Sequence, residues 1–276
     1  MSSTPLINAG ESAPANTDLV LFLPEGSFTP RALRPEEFSG KKGDFAAWNG
    51  EDSREYFVGL GDASCLKSDS YRLAAALTVR KTGSLGCERL ALDVSDASSE
   101  TLEAIVEGFL LGAYRFDEFR SEAGKQKGVR KVTLVGPKKA LKNIRSGISR
   151  ARKRADAVNF TREVGNLPGN RIDPPALAEL SRKLADERQL KCKVWTRAGL
   201  EREGFGGLTA VGGGSRKEPR LIRLDYDCGK KSAPTLALVG KAITFDSGGL
   251  CIKAGDQMGE MKFDKMGGCA VLGILR

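Results

Sequence analysis

Residues 238–268 read LVGKAITFDSGGLCIKAGDQMGEMKFDKMGG, an apolar run leading into a glycine-rich segment that ends on a glycine pair able to open a helix. The apolar run, Leu236-Ala237-Leu238-Val239-Gly240, has the character of a central strand covered on both faces. Lys241, Asp246, Lys253 and Asp264 then fall among Phe245, Leu250, Ile252 and Phe263, side chains expected to be buried. Burying an unpaired charge is costly, so charged groups in this setting are expected to meet a partner. Two carboxylates and a lysine converging at one place point to a metal or an anionic ligand. Ligands of open α/β sheets sit beyond the carboxyl ends of strands, and Lys241 and Asp246 lie just past such an end. A lysine ligates a metal only as the neutral amine, a form that burial and a nearby dication both favour. The residues alone leave a second reading open, a plain Lys241–Asp246 ion pair.

Working upstream, strands are expected over residues 221–226, 190–196, 130–136, 89–94, 56–60 and 18–23. Helices are expected over 70–80, from Ser99 onward with Ser98 or Ser99 as the cap, over 176–189 behind Asp173-Pro174-Pro175, and over 197–203. The paired glycines at 206–207 and 212–214 frame a short apolar segment, and residues 1–16 read as a loose arm. This alternation predicts an α/β fold with a mostly parallel or mixed sheet. Residues 138–154 carry eight Lys or Arg and no Asp or Glu. They predict a basic helix, from about 140 to 164, with three readings: a solvated face linking two domains, a phosphate-binding patch, or an oligomer interface. The domain layout expected is 1–137, a basic linker helix over 138–165, and a second domain over 166–276. Residues 269–276 read as the first turns of a buried helix, so the sequence is expected to be the N-terminal part of a longer protein.

Composition bounds the chemistry. The chain has 276 residues, 40% hydrophobic and 29% charged, the balance of a globular protein. It contains no histidine, which excludes a Ser-His-Asp triad, an H-E-x-x-H zinc site and any His-ligated metal. Six cysteines are scattered without a C-x-x-C and read as reduced thiols. No apolar run is long enough to span a membrane, and residues 1–17 lack the basic and apolar regions of a secretory signal. A cytoplasmic location is expected. The formal charge of +9 raises nucleic acid as a less favoured partner. Gly240-Lys241 is not a phosphate loop, since no glycine stands five residues before Gly240 and no Ser or Thr follows Lys241. Ser247 with a lysine base is the one nucleophilic alternative. Cys251 and Cys269 read as small buried fillers.

The segment from Val239 to Gly268 closely resembles the signature of the leucyl aminopeptidase (cytosol aminopeptidase) family, roughly V-G-K-G-[IV]-T-F-D-S-G-G-[IL]-x-[IL]-K-P…M-K-x-D-M-G-G. Arg162-Glu163-Val164-Gly165-Asn166-Leu167-Pro168-Gly169-Asn170 resembles the family's R-x-L-x-N-x-P-x-N, and Ala210-Val211-Gly212-Gly213-Gly214-Ser215 with Pro219-Arg220-Leu221-Ile222 resembles its A-V-G-x-G-S…P-R-L-I. The likeness is clear over about 160–276. It implies two α/β domains, a smaller N-terminal one and a truncated catalytic one with a mixed central sheet flanked by helices. It implies two divalent metal ions, Mn²⁺ or Zn²⁺, with Lys241, Asp246 and Asp264 as ligands and Asp246 as the bridge. Lys253 resembles the catalytic lysine, an ammonium that stabilises the oxyanion. The implied substrate is a peptide with a free N-terminus, its α-amine held by one metal, and the implied assembly is a homo-hexamer. Ala242 and Ala254 stand where Gly and Pro are commoner, and Lys265 looks like an extra residue after Asp264. The family's later Asp-x-Glu-x-Arg segment is not in these residues. A non-catalytic, inactive or DNA-binding member acting through the basic helix is the alternative.

Overall fold

The computed structural model describes residues 4–27, 33, 36–50, 53–121, 128–230, 232 and 234–276. The chain divides into two compact units, Met1–Asp156 and Ala157–Arg276.

The first unit is built on a six-stranded mixed sheet. Its strands are β1 (Leu6–Gly10), β2 (Asp18–Pro24), β3 (Phe45–Asn49), β4 (Arg54–Gly61), β5 (Arg89–Asp93) and β6 (Lys131–Val135), in the order β1-β6-β5-β2-β4-β3. Every neighbouring pair is parallel except β3 with β4. Helices α1 (Ser68–Ser84) and α2 (Ser99–Gly112) make the crossovers that parallel strands require. The apolar run of β4 and the cores of β5 and β6 are buried, as strands covered on both faces should be. Ser98 caps α2 by accepting from the Thr101 N–H at 3.1 Å, and Leu102, Ile105, Phe109 and Leu110 enter the core.

Two strands depart from expectation. Residues 6–10 form β1 rather than a loose arm, because Ile7 drops into the core while the backbone pairs with β6; residues 1–3 of that arm lie outside the described residues. β3 is an edge strand held by antiparallel pairing and by Phe45 stacked on Tyr56 at 5.8 Å between ring centroids.

The basic helix is α3 (Leu141–Asn166), which runs through both units. Within the first unit Ile144, Ile148, Ala151 and Ala155 lie in the core. Arg150 donates to Glu103, and Arg154 to Glu103 and Glu107. Lys138, Lys139, Lys142, Arg145 and Lys153 are exposed.

The second unit continues α3 and adds α4 (Pro174–Arg188), β7 (Lys191–Trp195), α5 (Arg197–Arg202), α6 (Gly206–Gly212), β8 (Leu221–Asp225), α7 (Gly255–Met258) and α8 (Met266–Leu275). β7 and β8 pair antiparallel. Asp173 caps α4 ahead of two prolines, accepting from the Ala176 N–H at 2.9 Å. Val164, Ile172, Leu177, Leu184, Cys269 and Leu272 form the core. The glycine-framed apolar segment proves to be α6. Leu236–Gly240 is not the expected central strand: among the described residues no strand pairs with it, and Leu236 and Val239 are 81% and 96% exposed. A strand is held by its neighbours' hydrogen bonds, and apolar character alone does not supply them. Among the described residues no helix is long and apolar enough to cross a membrane.

Candidate metal centre

The site begins as backbone. The Gly268 N–H donates to the Lys241 carbonyl at 2.7 Å, joining the lysine-bearing segment to the start of α8. That junction admits no side chains: a Cβ at Gly240 would stand 2.3 Å from the Gly267 oxygen. Next, Gly248 takes φ = +92°, a conformation glycine adopts at little cost. This turns its N–H back onto Asp246 Oδ1 at 2.9 Å. The Lys253 N–H closes the loop on the Ser247 carbonyl at 2.9 Å. A short 3-10 helix, Gly259–Phe263, then delivers Asp264.

Four charges meet on this frame. Lys241 Nζ lies 2.9 Å from Asp264 Oδ1, and Lys253 Nζ lies 3.5 Å from Asp246 Oδ2. The Gly248 N–H, then the Lys253 and Lys241 charges, hold the Asp246 carboxyl below the usual aspartate range. Lys241 therefore acts on both acids, although its direct partner is Asp264 rather than Asp246. The Asp264 side chain is only 18% exposed, and its Oδ2 is buried without a hydrogen-bond partner. A buried carboxylate oxygen left bare is costly, and it is the natural place for a cation. Two carboxylates and an amine supply the oxygen and nitrogen donors that divalent ions of the manganese and zinc kind accept, so these residues fit such an ion. Among the described residues no group of three or more His, Cys, Asp or Glu side chains comes together to hold a metal; the lysine is what completes this set.

The apolar neighbours behave otherwise than expected. Leu250, Ile252 and Phe245 are exposed, and Phe263 is half-buried. Cys269 is buried and Cys251 exposed, so only the first is a core filler. Lys265, which the sequence marks only as an apparent extra residue after Asp264, proves to be buried. It has no exposed surface, its ammonium donates to the Leu167 carbonyl at 2.9 Å and to the Lys262 carbonyl, and burial pulls its pKa below the usual lysine value. Its burial follows from tertiary packing and carries no signal in composition or spacing.

Comparison with known proteins identifies the family. A family model described as "Cytosol aminopeptidase family, catalytic domain" matches residues 159–276, and its N-terminal-domain counterpart matches residues 25–123. Relatives named probable cytosol aminopeptidase include one from Aquifex aeolicus, 39% identical over 89% of this chain and 50% of its own length. Another, from Roseiflexus castenholzii, is 38% identical over 98% of this chain and 58% of its own. The chain thus spans about half the length of the curated relatives it matches. Among solved structures it is similar to the bottromycin maturation enzyme BotP in complex with Mn, with TM-score 0.79 and 34% identity over 95% of this chain and 55% of that one. It is also similar to a variant of tomato leucine aminopeptidase, with TM-score 0.82 and 26% identity over 100% of this chain and 60% of that one. Both halves of the sequence and the fold that carries the four charges agree: the chain belongs to the cytosol aminopeptidase family.

Proposed function

We propose that the whole protein is a metal-dependent, leucyl-type aminopeptidase that hydrolyses the N-terminal residue of peptides by a two-metal mechanism. The observation that carries this reading is the meeting of Lys241, Asp246, Lys253 and Asp264 at one place, with the buried Asp264 Oδ2 left without a partner. Family membership and the leucine aminopeptidase neighbour support the reaction class. The neighbour solved in complex with Mn supports manganese, with zinc as the other ion of suitable chemistry.

In this reading Lys241, Asp246 and Asp264 are the residues that would hold the metal pair. Gly248 already aims one Asp246 oxygen by donating its N–H to it. Metal ions held there would supply Lewis acidity and a water acidified toward neutral pH. Lys253 stays an ammonium and stabilises the negative charge that develops on the carbonyl oxygen. Its 3.5 Å pairing with Asp246 is loose, so the ammonium would be free to turn to substrate. Assembly as a homo-hexamer belongs to the same proposal and rests on the family resemblance alone.

The test is Asp246→Ala in the full-length protein. It abolishes Mn²⁺-stimulated release of N-terminal leucine from a peptide; retained activity would remove Asp246 from the site.

A further inference from the structure

Lys265 stands where a lysine is hard to keep. It has no exposed surface, so its charge has lost its water. It also occupies the N-cap position of α8, without a side-chain capping bond, where the helix dipole presents its positive end and disfavours a cation. An apolar side chain of similar length, such as methionine, would fill the same space with neither penalty. What the ammonium adds is a pair of directed hydrogen bonds. One goes to the Lys262 carbonyl, two residues before Asp264; the other crosses to the Leu167 carbonyl, in the turn that follows α3.

That turn touches both acidic segments of the site. A Cβ placed at Gly169 would lie 3.1 Å from the Phe245 Cβ, so the turn packs directly against the residue preceding Asp246. A Cβ at Gly165 would lie 2.2 Å from Met266 Sδ, so the end of α3 packs against the residue that follows Lys265. The turn itself is braced by the Pro168 carbonyl, which accepts from the Arg171 and Ile172 N–H groups. The Asp246 segment is therefore seated on this turn by packing, and the Asp264 segment is tethered to it by Lys265.

We infer that Lys265 is a positioning residue: its buried ammonium sets the separation of Asp246 and Asp264 by tying the Asp264 loop to the turn that seats Phe245. The inference rests on the metal-site reading above. Lys265 reaches no metal or substrate itself and acts through Asp264. Side chains that hold a ligand's loop in this way affect metal affinity by roughly 10–100-fold when removed.

The experiment is a double-mutant cycle on the full chain. Free Mn²⁺ is titrated and read from the electron paramagnetic resonance signal of the aquo ion. Circular dichroism checks that each variant is folded. Lys265→Met raises the dissociation constant for Mn²⁺ roughly 10–100-fold in the wild-type background. In the Asp264→Asn background the same substitution changes it by less than about 2-fold, because the group it positions is already gone. Lys265→Gln, which keeps an N–H donor, recovers part of the affinity. If the methionine variant does not fold, Lys265→Leu, which also lacks a donor, is carried through the same cycle and judged by the same criteria. A wild-type dissociation constant in the Lys265 variant, or an equal loss in both backgrounds, overturns the inference while leaving the site reading intact. Failure of the wild-type chain to bind Mn²⁺ overturns the site reading, and this inference with it.

Discussion

Gly240→Ala tests the backbone junction on which the candidate site hangs. The new Cβ would stand 2.3 Å from the Gly267 oxygen and 2.7 Å from the Gly268 nitrogen, where ordinary contact begins at 3.4 Å. Both obstacles are backbone, so no flexible side chain can swing aside. The two segments must part by about 1 Å to restore contact distance. Lys241 follows Gly240 on one segment, and Asp264 precedes the glycine pair on the other. Their 2.9 Å pairing opens to about 4 Å, the limit of a direct ion pair. The Gly268 N–H bond to Lys241, now 2.7 Å, is stretched with it. A misplacement of this size in a reacting constellation costs about 10²-fold in rate. Gly240→Ala therefore weakens Mn²⁺ binding and lowers the hydrolysis of leucine p-nitroanilide by the full-length protein by about 100-fold. Gly259→Ala is the control. A Cβ there meets nothing within 4 Å, and its φ of −56° suits any residue. Wild-type binding and rate in Gly240→Ala, or the same loss in Gly259→Ala, would refute the geometric argument.

Two further outcomes follow from the same structure. Lys253→Ala keeps its Mn²⁺ affinity but loses roughly 10²–10³ in kcat, the usual effect of removing one oxyanion donor; an unchanged kcat takes Lys253 out of the mechanism. In the first unit, burial raises the Tyr56 phenol to about 12, and its hydroxyl donates to Asp18 Oδ2 at 3.2 Å. The folded pKa is the higher one, so the stability this group contributes is complete below the ordinary value of 10 and is lost as pH rises from 10 through about 12. Absorbance at 295 nm follows the four tyrosines: one ionises near pH 12 and urea resistance falls over that window, whereas all four ionising together near 10 in the folded protein contradicts the burial argument.

Much of the fold was legible because its signals are local. The apolar run of β4 and the Ser98 cap of α2 need only their own neighbours to be recognised. β1 escaped notice because a strand with one inward side chain, Ile7, looks no different from a polar arm until β6 is beside it. Residues 236–240 misled in the opposite direction: Leu236 and Val239 have a central strand's character and no strand to pair with among the described residues. In the site, the residue types could be read from their glycine-rich setting, but the pairing could not. Lys241 meets Asp264 rather than the nearer Asp246 because the Gly268–Lys241 backbone bond brings distant segments together. The burial of Lys265 was illegible for a simpler reason. A lysine in a sequence reads as exposed, and only the carbonyls of Leu167 and Lys262 explain how this one is not.

The position of β1 has a consequence for the order in which the first unit is completed. Leu6 is aligned with Lys131, about 125 residues downstream, and β6 lies between β1 and β5. At a ribosomal rate of 5–20 residues per second, β1 waits roughly 6–25 s for the strand it pairs with. Through that interval Ile7 has no core to enter and the backbone of residues 6–10 has no ladder to join, while β2, β4 and β5 already have one another. β1 is thus seated after strands that are made later than it. The nascent chain carries an open sheet edge until residue 135 is free of the ribosome, and this is the stage at which pairing with a foreign strand competes most directly with correct folding.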